Sequence, residues 1–255
     1  MNAEFYVRGH GWLHRMDPRV KCFIVLATAV MSCVWGNLIF LAAVLVLLHL
    51  FLLLDHTPAG RVGHLWRWLL PVDIVVFAVI VLAWRVADGT VLWDLDWVKL
   101  TAESLTVAGV VVLRISNIVV AWFLMLFTTS RTQWINGLAR FGVPFRGGVA
   151  WTRFLNYLPQ YFAVKREIVA AEQTRGLTGG FWSGSAISAS ANARIDRRTA
   201  RVDRAMRERG AGMTLDGKRR RTQYLPVRMR GVDWFELFVA LLVLAAVIVM
   251  ICLGW

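Results

Sequence analysis

Apolar residues come in long unbroken runs through the first half of the chain and again at its end, with short polar breaks between them. From Cys22 to Leu54 the run is interrupted only by Gly36-Asn37. As one helix those residues would reach roughly 50 Å, well beyond a hydrocarbon core of about 30 Å. Gly-Asn is a turn signal, so the pattern predicts two short spans, about 20–35 and 38–54. Further runs predict spans over about 69–84, 105–127 and 234–253. The first three are short, which suits tilted or re-entrant segments. The expected architecture is an all-α integral membrane protein with about five transmembrane helices. Residues 1–127 hold four spans, 128–232 form a polar block, and 233–255 carry the last transmembrane helix.

Within the polar block the period changes to that of amphipathic helices. RTQWINGLARFGVPFRG (131–147) follows Thr128-Thr129-Ser130, good N-cap residues, and breaks at Gly142 and Pro144. Trp134, Leu138 and Phe141 recur at i, i+4 and i+7 on one side of it. A second helix is expected from Trp151 to Arg175, with Phe154, Leu155, Leu158 and Phe162 on its apolar face, a bend at Pro159 and a stop at Gly176. The small, polar stretch 178–193 reads as a loop. A third helix follows from Ala193, with Ile195, Val202 and Met206 as its apolar positions. Arg194, Arg197, Arg201 and Arg204 form a basic band beside them, and Asp203 is placed to pair with Arg207 one turn on. This helix ends in Arg209-Gly210 as the second ends in Arg175-Gly176. The polar block thus carries two or three amphipathic helices.

Composition supports the membrane reading. Hydrophobic residues make up 58% of the 255, with a mean hydropathy of +0.56, against roughly 45–50% in soluble domains. The net charge of +13 is unevenly placed: residues 128–232 hold 20 Lys/Arg and 6 Asp/Glu, and the remainder hold 9 and 10. By the positive-inside rule the N-terminus and residues 128–232 face the cytoplasm. Trp35, Trp66, Trp84, Trp122, Trp234 and Trp255 fall near span ends, as interfacial tryptophans do. Segments 57–68 and 93–100 mix charge with aromatic residues and read as interfacial anchors. No cleavable signal peptide is evident, because the first apolar region begins late and runs on too far. Cys22, Cys33 and Cys252 lie in apolar segments without metal or disulfide spacing.

Candidate chemistry is sparse. Arg114, Ser116, Asn117 and Asp73 are polar groups at membrane depth. They are either functional groups or partners in helix–helix contacts. The histidines lack ligand spacing on any one helix face, so no metal site is expected. Gly212, four residues, then Gly217-Lys218 imitate a phosphate-binding loop. That loop needs Ser or Thr next and a buried strand before it, whereas Arg219 follows and a cationic helix precedes. No catalytic residues and no cofactor of the chain's own are expected. The basic tract 218–221 suits anionic lipid, with nucleic acid as the other partner of such charge. Arg175 and Arg209, 34 residues apart, either cap their helices or project as plugs for acidic grooves.

Four stretches, in order, resemble one family. LHRMDPRVK (13–21) is similar to an N-terminal signature, and FTTSRTQWINGLARFGVP (127–144) to a stretch after the fourth span. AAEQTRGL (170–177) and DRAMRERGAG (203–212) look like two coupling motifs. Together they resemble the transmembrane T component of energy-coupling factor (ECF) transporters. The resemblance implies a non-catalytic scaffold in the bacterial cell membrane. Arg175-Gly176 and Arg209-Gly210 would dock on two ABC-type ATPase subunits, which use ATP and magnesium. A small membrane-embedded S component would bind the vitamin or metal ion and reorient as the ATPases close. Leu155, Leu158, Phe162, Ile195, Val202 and Met206 would pack on partners or membrane helices. Thr174 and Glu208 depart from the family pattern, where Ala often precedes each coupling arginine. Glu208 would then weaken or redirect the grip of an acidic groove.

Two other readings compete. A membrane-anchored nucleic-acid-binding protein would use the basic block, whereas the transporter reading expects no nucleic acid. An integral membrane enzyme would use Asp73, Arg114 and the histidines, but no nucleophile–base or metal spacing supports it.

Overall fold

Asp17 and Pro18 begin the first long helix because each supplies what a helix start lacks. The Asp17 carboxylate accepts the Arg19 amide at 2.9 Å, and Pro18 occupies the first turn, where its missing N–H costs nothing. The computed structural model describes residues 4–9, 11–83, 91–95, 98–176, 183–210 and 229–253. A single turn, α1 (Trp12–Arg15), leads into α2 (Pro18–Val34). Asn37 then caps α3 (Leu38–Leu54), its side chain accepting two amides. The Gly36-Asn37 break is therefore a helix boundary, as the apolar pattern predicted. Next come α4 (Ala59–Ala83), an antiparallel hairpin of β1 (Val91–Leu95) and β2 (Val98–Thr101), and α5 (Ala102–Thr128). The chain continues through α6 (Arg131–Arg140), α7 (Phe145–Thr174), α8 (Ser183–Glu208) and α9 (Gly231–Cys252).

The chain divides into two compact units, Tyr6–Gln133 with Arg228–Trp255, and Met1–Phe5 with Trp134–Val227. In the first, α5 packs against α2, α3 and α4, and α2 also packs against α9. Val120, Ala121 and Met125 of α5 are fully enclosed. The outer faces of α3, α4 and α9 are bare apolar side chains such as Ile39, Leu53 and Phe235. In water such a surface would drive aggregation; in lipid it is the ordinary boundary of a membrane protein. Among the described residues, three helices are long and apolar enough to cross a bilayer: Ala59–Ala83, Ala102–Thr128 and Gly231–Met250. α2 and α3 have 17 residues each, about 25 Å, slightly short of the hydrocarbon core.

Four elements differ from the sequence reading, among them α7, which begins at Phe145 and not at Trp151. α4 begins ten residues before the expected span and absorbs most of 57–68, running through Pro71 as one helix. Leu65, Leu69 and Asp73 form its buried stripe, and the Trp66 indole donates to His49 Nε2 of α3 at 2.9 Å. That packing outweighs the one backbone hydrogen bond that proline removes. Of segment 93–100, read as an interfacial anchor, residues 93–95 and 98–100 lie in the strands of the hairpin, with Asp94 opposite Lys99. α8 begins at Ser183, so most of the expected 178–193 loop is helical. Its alanines are strong helix formers, its serines bond back to carbonyls one turn earlier, and Ile187 and Ala191 join Ile195 in one buried stripe.

In the second unit α7 packs on α8. α6 and α7 are separated at Gly142, which takes a positive φ of 87°. Ser130 and Gln133 start α6 with reciprocal side-chain bonds to each other's amides, at 2.8 and 3.3 Å. Asp203 does not pair with Arg207 as the spacing suggested. Its carboxylate is taken by both guanidinium nitrogens of Arg153 on α7. A two-pronged fork outcompetes a single exposed neighbour. That pairing holds the Asp203 carboxyl below its ordinary value.

Candidate functional site

Two helix ends in the second unit are built alike. At the end of α7 the amides of Arg175 and Gly176 close onto Glu172 and Gln173 carbonyls, each at 3.0 Å, and Gly176 turns to φ 72°. At the end of α8 the amides of Arg209 and Gly210 close onto Ala205 and Arg207 at 3.2 and 2.9 Å, and Gly210 turns to φ 74°. A side chain at either glycine would be strained. Thr174, Arg175, Glu208 and Arg209 are exposed. The Thr174 hydroxyl donates back to the Ala171 carbonyl at 2.8 Å. Each helix therefore stops abruptly just past an outward-facing arginine.

The other polar-block candidates divide by burial. Leu155 and Ile195 are enclosed, whereas Leu158, Phe162 and Val202 are exposed and Met206 is half-buried. Between α7 and α8 lies a groove of about 590 Å³ lined by Val164, Glu167, Arg194, Arg198, Arg201 and Val202 among others. Arg194 of the basic band bonds to Glu167 at 3.2 Å across it. The segment 211–228, with the phosphate-loop near-match and the basic tract 218–221, lies outside the described residues.

The intramembrane candidates do not form one site. Asp73 Oδ2 accepts the Ser116 hydroxyl at 2.9 Å, and the Asn117 amide donates to the Leu41 carbonyl at 3.0 Å. These tie α5 to α4 and to α3. A side chain added at Gly36 would approach the Arg114 guanidinium to 3.4 Å, which places Arg114 beside the turn between α2 and α3. Asp73 and Asn117 therefore stand at helix–helix contacts, and Arg114 stands beside a turn.

A fourth cluster was not singled out from the sequence as a site. It joins the stretch 12–21 to the ends of α3, α5 and α9. His14 Nδ1 lies 2.8 Å from Asp55 Oδ2, just past α3, and Gly11 passes so close that a Cβ there would stand 1.9 Å from Asp55 Oδ1. The Lys21 ammonium donates to the Thr128 carbonyl at 3.0 Å and to Thr129 Oγ1 at 3.3 Å, capping the negative end of α5. Asp233, in the first turn of α9, accepts the Arg230 amide at 2.7 Å and the Asp17 amide at 3.0 Å. The Trp12 indole donates to Glu236, and the Gln133 amide donates to the His14 carbonyl at 3.0 Å. Asp17, Lys21 and Asp233 are 2–3% exposed. The available signal was that these polar residues all sit at the ends of apolar runs that share one side of the membrane. The partners are too distant in sequence for any spacing rule.

Residues 9–213 match the family model described as CbiQ, cobalt transport protein. The chain belongs to this family. The CbiQ match includes the 12–21 stretch, both arginine-tipped helices and the four helices α2–α5. The chain is also similar to curated proteins named energy-coupling factor transporter transmembrane protein EcfT. That of Listeria innocua serovar 6a is 26% identical over 193 residues, 70% of each chain. That of Acidaminococcus fermentans is 25% identical over 195 residues, 73% of this chain and 71% of the relative. That of Thermosediminibacter oceani is 25% identical over 197 residues, 71% and 70%. As a CbiQ-family member the protein is a membrane transport protein of the energy-coupling factor type, and the resemblance drawn from the four motifs is borne out.

Proposed function

We propose that this chain is the energy-coupling scaffold of an ECF transporter. It links ATP hydrolysis by two ABC-type ATPase subunits to reorientation of a small substrate-binding S component, for uptake of a vitamin or metal ion. The observation that carries this is the repeated helix end: two exposed arginines, Arg175 and Arg209, each backed by a left-handed glycine. A helix that stops just past an arginine projects its guanidinium forward as a plug. Its forked donors match carboxylates in an acidic groove. ATP and magnesium belong to the ATPases in this scheme, so the chain is non-catalytic. The exposed faces of Leu158, Phe162 and Val202 are surfaces for partner packing. Positive charge concentrated in 128–232 supports a cytoplasmic location for that block and the N-terminus, in a bacterial cell and near anionic lipid.

The test begins with purification of the tagged chain from native membranes in mild detergent. Mass spectrometry and an ATP-hydrolysis assay follow. Two ATPase chains and a small apolar protein are expected to co-elute. Arg175→Glu with Arg209→Glu is expected to abolish uptake while membrane insertion persists. Normal uptake by that double variant at wild-type expression would refute the coupling role.

A further inference from the structure

Residues 134–227 belong to the second unit and lie in the chain between α5 and α9 of the first. The segments flanking them are held by the same short stretch of chain. On the outgoing side Lys21 grips the Thr128 carbonyl and the Thr129 hydroxyl, and Gln133 reaches back to the His14 carbonyl. On the returning side Asp233 receives the amides of Arg230 and Asp17, and Glu236 receives the Trp12 indole. Asp17 and Lys21 are four residues apart, about 6 Å along α2.

We propose that Asp17 and Lys21 are positioning residues for energy coupling, a two-sided clamp that fixes the segments flanking the coupling block, 128–133 and 230–236, to the first turn of α2. The inference rests on the transporter reading above. A lever transmits displacement only if its base does not slide. Here the base consists of three helix termini that satisfy one another. The α2 start is capped by Asp17, the α5 end by Lys21, and the α9 start by Asp233, which also takes the Asp17 amide. Side chains this enclosed are costly to bury unless every bond is made, so the junction has one geometry rather than several. Asp55, Asp233, Glu236 and Asp17 all act electrostatically on Lys21, and a neutral side chain there would lose that attraction together with the bonds to Thr128 and Thr129. Motion imposed on the block would then be absorbed at its base instead of reaching α2, α5 and α9.

The test uses the whole complex, co-purified through the tagged chain and reconstituted in liposomes. ATP hydrolysis is measured beside uptake of labelled cobalt(II), or of each B vitamin in turn where wild type ignores cobalt. Lys21→Met and Asp233→Asn are expected to retain ATPase partners and hydrolysis within about twofold, while uptake per ATP falls roughly tenfold, the scale of one lost charged hydrogen bond. Lys21→Arg, which can still donate to Thr128 and Thr129, is expected to restore the ratio. Uptake and hydrolysis falling in proportion, or an unchanged ratio in assembled variants, would overturn the clamp. So would loss of the complex in both variants, which would make the residues purely architectural. A wild-type chain that purifies without ATPases, or takes up none of the probes, would overturn the transporter reading itself.

Discussion

His14 Nδ1 lies 2.8 Å from Asp55 Oδ2, and the two side chains are 4% and 1% exposed. His14→Ala would leave the Asp55 carboxylate enclosed without its partner, at a cost of about 3–5 kcal/mol. Replacing both by leucine removes the unmet charge, so the double variant should be less destabilised than His14→Ala alone. Thermal unfolding in detergent, followed by loss of monodisperse protein, compares the two. Gly11→Ala should cost about 1–3 kcal/mol by pushing on the same carboxylate.

The helix ends make a separate prediction. Gly176→Ala and Gly210→Ala each force an L side chain into the left-handed region, at about 1 kcal/mol. Uptake should fall partially, less than with Arg175→Glu or Arg209→Glu, and membrane insertion should be unaffected. Equal effects of the glycine and arginine changes would place the importance of these tips in the backbone rather than in the guanidinium.

The Arg153–Asp203 fork should make the α7–α8 contact acid-sensitive. Asp203 is held below its ordinary value of 3.8 by its bonds to Arg153. A lowered folded value means the contribution is complete above about pH 4 and disappears as pH falls through that lowered value. Spin labels on exposed positions of α7 and α8 should report separation only under acid conditions. In Asp203→Asn the acid-dependent step should vanish.

Asn117→Leu removes the bond to the Leu41 carbonyl. Cross-helix bonds of this kind are worth about 0.6 kcal/mol in membranes, so the thermal midpoint should drop by only a few degrees. Uptake should persist at near wild-type rates. A complete loss of uptake in properly inserted protein would instead give Asn117 a direct role in transport.

Much of the fold was legible because its signals are local. Gly36-Asn37, Ser130, Gly142, Gly176 and Gly210 each mark a boundary through their own backbone preferences, and the apolar runs locate the helices between them. α8 was read short because the alanines and serines of 183–193 carry little hydrophobic contrast, although their helix preference is strong. The junction at Asp17, Lys21, Asp55 and Asp233 was illegible for a different reason. Asp17 and Asp233 are 216 positions apart, and no period or spacing connects them. Only the assembled bundle brings them together. The same holds for Arg153 and Asp203, where a neighbour in sequence looked sufficient.

The clamp at α2 also bears on how such proteins can vary. If Gln133 and Arg230 are both tied to the stretch around Asp17, as the clamp requires, the chain between them behaves as a loop with fixed ends. Closing a longer flexible loop is cheap, about 0.6 kcal/mol for each doubling of length. Insertions, deletions or a wholesale exchange of the helical tips could accumulate there without altering how the membrane helices register with one another. One membrane scaffold could then accept tips shaped for different motors.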